Sequence, residues 1–172
     1  MAIYQLGDLI PKIHPDAFVH PQACVIGDVT IGARSTIWPM AVVRGDHGGI
    51  VIGEETSIQD GCIVHTVELS PTTIGSRCVV GHLAHLEGCI VDDDALIGAG
   101  SIVMQMAHVE SWAVVGAGAL VPGGMVVPTG SQALGVPAKL REGSDQRGAI
   151  TGGAEHYAEM SSYYPANLKR LD

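Results

Sequence analysis

Seven side chains between positions 44 and 87 are of types that bind metals or move protons. Arg44, His65 and Glu87 recur at nearly one spacing; Asp60 and His82 repeat it. Asp46 and Gln59 stand beside these series. Two imidazoles and a carboxylate are borderline-to-hard donors, suited to Zn or Fe(II), and they leave a position for water. A carboxylate next to an imidazole can also fix the orientation of that ring. The same residues on a surface can form a subunit contact with no metal, and residue types alone leave both readings open.

What must position them is a repeat. Ile26, Ile31, Ile37, Val43, Ile52, Ile58, Val64, Ile74, Val80, Leu86, Val91, Ile97, Val103, Val109, Val115, Val121 and Val127 are all Ile, Val or Leu. From Ile74 nearly every step is six residues, and the fifth position of each unit is small, as at Ser35, Cys62, Cys78 and Ala113. Neither the helical nor the strand period predicts this. It is the hexapeptide signature of a parallel β-helix, in which three short strands close one triangular coil. Stacking at roughly 4.8 Å per coil puts Arg44, His65 and Glu87 in one ladder and Asp60 under His82 on another face. His65 and His82 can then meet only between subunits, as in a closed trimer. Two steps are longer, Val43 to Ile52 and Val64 to Ile74, and their extra residues are expected to loop out of the prism.

The repeat gives a β-helix domain over 1–140. Residues 141–172 then supply a linker, Arg141 to Gly153, and a helix over Ala154–Tyr164 that packs on the β-helix through Tyr157, Met160 and Tyr164, with Pro165 ending or kinking it. Apolar residues make up 47% and aromatics only 4%, so the core is built from small and branched side chains. Net charge is −9 with no basic stripe, which argues against nucleic acid as a partner. No run is long and apolar enough for a spanning helix, and no secretory leader is visible, so no membrane partner and a cytoplasmic location are expected. Cys24, Cys62, Cys78 and Cys89 form no CxxC pair and read as reduced thiols.

Gly27-Asp28, Arg44-Gly45-Asp46, Ile58-Gln59-Asp60, Val64-His65, Val80-Gly81-His82 and the Leu134–Lys139 stretch resemble the γ-class carbonic anhydrase family, in its carnitine-operon and phenylacetate-operon subgroup. The likeness covers essentially the whole chain. It implies a left-handed β-helix, a homotrimer, and a zinc site between subunits, with Fe(II) or cobalt also compatible. On that resemblance His65 and the His82 of a neighbouring copy bind the metal. Gln59 positions water or CO2, Asp60 orients His82 or the water, and Arg44 and Asp46 pair across the interface. Tyr157 reaches the pocket from the terminal helix.

The chain departs from the family at one ligand, where Glu87 stands in place of a third histidine. Either Glu87 ligates, or His85 does, or the site binds metal poorly. His85, a sixth-position residue, is expected to point elsewhere, which favours Glu87. A carboxylate ligand makes bound water less acidic and weakens the case for CO2 hydration. The leading expectation is a carbonic anhydrase-like lyase acting on CO2 or another small electrophile. The alternatives are an acyl-CoA thioesterase or acyltransferase, for whose nucleotide phosphates no basic residues stand out, and a non-catalytic trimeric scaffold.

Overall fold

A β-branched or leucine side chain every six residues can be buried on one side only if the chain turns a corner between units. In the computed structural model, which describes residues 2–142 and 145–172, it does so. The chain winds into a β-solenoid of about seven turns, mostly of parallel strands, followed by one helix, Arg147–Asn167. Corners are sharp enough to need left-handed backbone even at non-glycine residues such as Arg34, Glu55, Arg77 and Asp94.

Pairing confirms the three faces. Val43, Val64, Leu86, Val103 and Val121 stack on one. Ile37, Ile58, Val80, Ile97 and Val115 stack on the next. Ile31, Ile52, Ile74, Val91, Val109 and Val127 take the third. All sixteen are buried in one continuous core. The exception is Ile26: Val25 pairs with Val43 and is buried, while Ile26 pairs with Arg44. Strand alternation sends adjacent residues to opposite sides, so only one of the two can face inward. The small fifth positions are buried too, and their hydroxyls bond carbonyls of the neighbouring coil, Ser35 to Gly53 and Thr56 to Gly75.

The first long step does not loop out. Residues Val42–Ile52 form one continuous strand beside Cys24–Ile31, with a register shift at Gly27/Val29 that absorbs the extra length. Two glycines make this possible. A Cβ on Gly27 would strike the carbonyl oxygen of Gly45, and one on Gly45 would strike that of Asp28. The second long step does leave the prism, through a short bridge at Val67/Ser70 with Leu69 fully in solvent.

The helix begins earlier than expected, at Arg147, so residues 147–153 are helix rather than linker; positions 143 and 144 lie outside the described residues. It also continues through Pro165, which sits close enough to the end that only one helical hydrogen bond is forfeited. Its buried stripe is Ile150, Ala154, Ala158 and Ser161 rather than the tyrosines. Small side chains let it lie close on the strands Phe18–Val19, Thr36–Ile37, Ser57–Ile58 and Val79–Val80. Tyr157 and Tyr164 flank that seam.

Candidate functional site

Two polar clusters result, on two different faces. In the first, His65 pairs across the coil with both Arg44 and Glu87. Arg44 forms an ion pair with Asp46 within this one chain, two residues along the same strand. Asp46 Oδ1 lies 2.9 Å from His65 Nε2, and Glu87 Oε1 lies 3.3 Å from His65 Nδ1. His85 joins as well, its Nε2 at 3.2 Å from Glu87 Oε2. That corrects the expectation that His85 points away. With Leu86 facing inward, His85 and Glu87 are two apart on a strand and must share the outer face. Burial works against ionisation of Asp46, yet the His65 hydrogen bond and Arg44 outweigh it and hold the carboxyl below its usual range. Glu87 is likewise lowered, chiefly by its hydrogen bond to His85, then against burial by that to His65.

In the second cluster, His82 Nδ1 lies 2.8 Å from Asp60 Oδ2. An ionised carboxylate only accepts, so Nδ1 carries the proton and Nε2 presents its lone pair outward. The buried Gln59 carbonyl accepts the backbone N–H of His82 at 3.2 Å, and its side chain also hydrogen-bonds Tyr157. Burial, followed by the nearby Asp60 charge, pushes the Tyr157 phenol above its usual pKa. Around the dyad opens a hollow of about 230 Å³ lined by Trp38, Asp60, His82, Tyr157, Met160 and Tyr164. Trp38 lies edge-on to Tyr164 at 4.7 Å and to Tyr157 at 5.9 Å between ring centroids. Its indole N–H donates to Thr36 and Ser57, which fixes the ring. A larger hollow on the other side of the helix, about 440 Å³ beside Pro15, Arg34 and Ser162, has no histidine with an orienting carboxylate.

Sequence reasoning thus finds Gln59, Asp60, His82 and Tyr157 together, and Arg44, Asp46, His65 and Glu87 together, but one chain does not unite the clusters. Trp38 was missed; the register that pairs Ile37 with Ile58 sets it beside Gln59, which was the available signal. The expected metal set takes His82 from a neighbouring copy, so one chain supplies only part of it. Both ring nitrogens of His65 already face carboxylates, and no group of three or more His, Cys, Asp or Glu among the described residues is placed to hold a metal ion.

Residues 10–45 match the family described as bacterial transferase hexapeptide (six repeats). The carnitine operon protein CaiE of Salmonella agona is 40% identical over 147 residues, 85% of this chain and 74% of that protein. The chain belongs to the CaiE family of hexapeptide-repeat proteins. Among solved structures, a hexapeptide transferase family protein from Anaplasma phagocytophilum superposes with a TM-score of 0.91 at 35% identity, covering 95% of this chain and 98% of that one. A mutant perosamine N-acetyltransferase from Caulobacter crescentus, in complex with CoA and GDP-perosamine, gives 0.56 at 25% identity over 77% of this chain and 57% of that one. Within the described residues, no helix is long and apolar enough to cross a membrane.

Proposed function

We propose that the protein is an enzyme of acyl transfer, moving an acyl group from a coenzyme A thioester to a small nucleophile, with His82 as general base. The observation that carries this reading is the Asp60–His82 pair at 2.8 Å, opening into an aromatic hollow. The matched transferase family and the CoA-bound relative support it. His82 Nε2 takes the proton of an amine, hydroxyl or water as its heteroatom bonds to the thioester carbonyl carbon. The C–S bond then breaks, and the imidazolium returns the proton to the departing sulfur. The protonated Tyr157 hydroxyl is available to the carbonyl oxygen, where negative charge develops. Release of free thiol from acetyl-CoA tests this. His82→Ala should lower the rate by about 10² to 10⁴-fold, and Asp60→Asn should lower it less. An unchanged rate in His82→Ala overturns the reading.

A metal-dependent reading keeps one specific support, the pairing of His65 with Glu87 on adjacent coils. It needs His82 of a neighbouring copy in a homotrimer, the assembly we propose for this chain. Zinc, Fe(II) or cobalt found stoichiometrically in protein purified without added metal, and lost in Glu87→Gln, would favour it over general-base acyl transfer.

A further inference from the structure

We infer that the acyl donor lies along the terminal helix, its thioester at His82 and its phosphates at Lys169 and Arg170. This rests on the acyl-transfer reading. Three hollows adjoin in order. The one at His82 ends at Tyr164. The next, about 170 Å³, is lined by Tyr163, Tyr164, Asn167 and Leu168. The last, about 260 Å³, is lined by His20, Pro21, Gln22, Leu168, Lys169, Arg170 and Asp172. Tyr164 borders the first and second, and Leu168 the second and third, so the three follow one another along the helix. From Tyr157 to the helix end at Asn167 they extend about 15 Å along the helix axis.

The chemistry changes along this path in the order that a phosphopantetheine thioester requires. At one end is a base for the reacting carbon. In the middle are aromatic and aliphatic side chains for an uncharged arm. At the far end are cations.

Cations are scarce in this chain, nine Lys and Arg in all. Arg34, Arg44 and Arg77 are committed to carboxylates, Arg147 lies over the Trp112 ring, and Lys12, Lys139 and Arg141 line none of these three hollows. Lys169 and Arg170 are adjacent and in solvent. Arg170 pairs with Asp172 at 2.8 Å, but those side chains are 83% and 85% exposed, and such a pair is weakly held. A phosphate offers the guanidinium a stronger, two-pronged contact. The helix end carries partial negative charge, which by itself disfavours phosphate, so the two cations are required rather than incidental.

Calorimetric titration of the full chain with CoA tests the groove. The double variant K169A/R170A should bind CoA about tenfold or more weakly, while pantetheine, which lacks the phosphates, binds wild type and variant alike. Adenosine 3′,5′-bisphosphate should bind wild type and lose affinity in the variant, and Asp172→Asn should tighten CoA. In turnover, KM for acetyl-CoA rises in K169A/R170A with kcat unchanged. Failure of wild type to bind CoA, or equal CoA affinity in wild type and variant, overturns the inference. CoA binding with no turnover would retain the groove and remove the acyl-transfer reading. Turnover with an unchanged KM in the variant would do the reverse.

Discussion

His82 and His65 are each beside a carboxylate, yet they are in opposite situations. His82 has one nitrogen held by Asp60 and the other open. His65 has a carboxylate at each nitrogen. Of the two, only the first has, among the described residues, a ring nitrogen with no carboxylate against it. In the proposed reaction Tyr157 donates to the thioester carbonyl oxygen, and burial holds its phenol in the protonated form. Tyr157→Phe should lower kcat by about 10²-fold with little change in KM, measured as thiol release. The ladder of Arg44, Asp46, His65, Glu87 and His85 also bears on stability, and its pH dependence has a definite sign. Asp46 and Glu87 are both lowered in the folded chain. Their contribution is therefore present above the unfolded carboxyl value, about pH 4, and is lost as pH falls through the lower folded values. Melting temperature should hold from pH 7 to 5 and decline below 4, and Asp46→Asn or Glu87→Gln should make that decline shallower. The vertical partnerships of these residues were legible because the six-residue repeat fixes which side chains stack. The sideways partnership of His85 with Glu87 was not, because it follows from strand alternation inside a unit, which the repeat count ignores.

The elements differ in how firmly sequence fixes them. Sixteen of the seventeen expected core positions are buried because six residues per side leaves one inward choice. At Ile26 the first coils break step, and Val25 takes the place. Val25→Ala should cost about 1–3 kcal/mol in denaturant unfolding and Ile26→Ala less. Val103→Asp places an unpaired charge in the prism and should abolish folding. A soluble, normally melting Val103→Asp protein would contradict the register. The helix was half-legible. Its aromatic residues drew the expected face toward Tyr157, but close approach to a flat strand layer selects the smallest side chains, Ala154 and Ala158. Ala158→Leu should overpack this seam by about 1–3 kcal/mol and displace Tyr157 from Gln59. Circular dichroism melting and thiol release would report the two effects.

For the whole molecule, a net charge of −9 with exposed Ile63, Ile102, Met40 and Leu83 describes a surface short of charge where the coils are bare. Light scattering should give a trimeric mass at micromolar concentration, and a monomeric mass would refute the proposed assembly. Which copy meets which face was not legible, since repeat periodicity specifies the inside of the prism and leaves its outside free. The inside has a consequence of its own. Burial pushes the thiol of Cys62 up to about 11 and those of Cys78 and Cys89 up to about 12, while Cys24 near the first coil is only half-buried. Such thiols are inert until their own coil opens. Because each coil is held only by its neighbours, opening starts at an end and travels. The four cysteines therefore form a row of clocks set at different depths. An alkylating reagent should mark Cys24 first and the other three on a much slower schedule, which reads out how far fraying penetrates the native column.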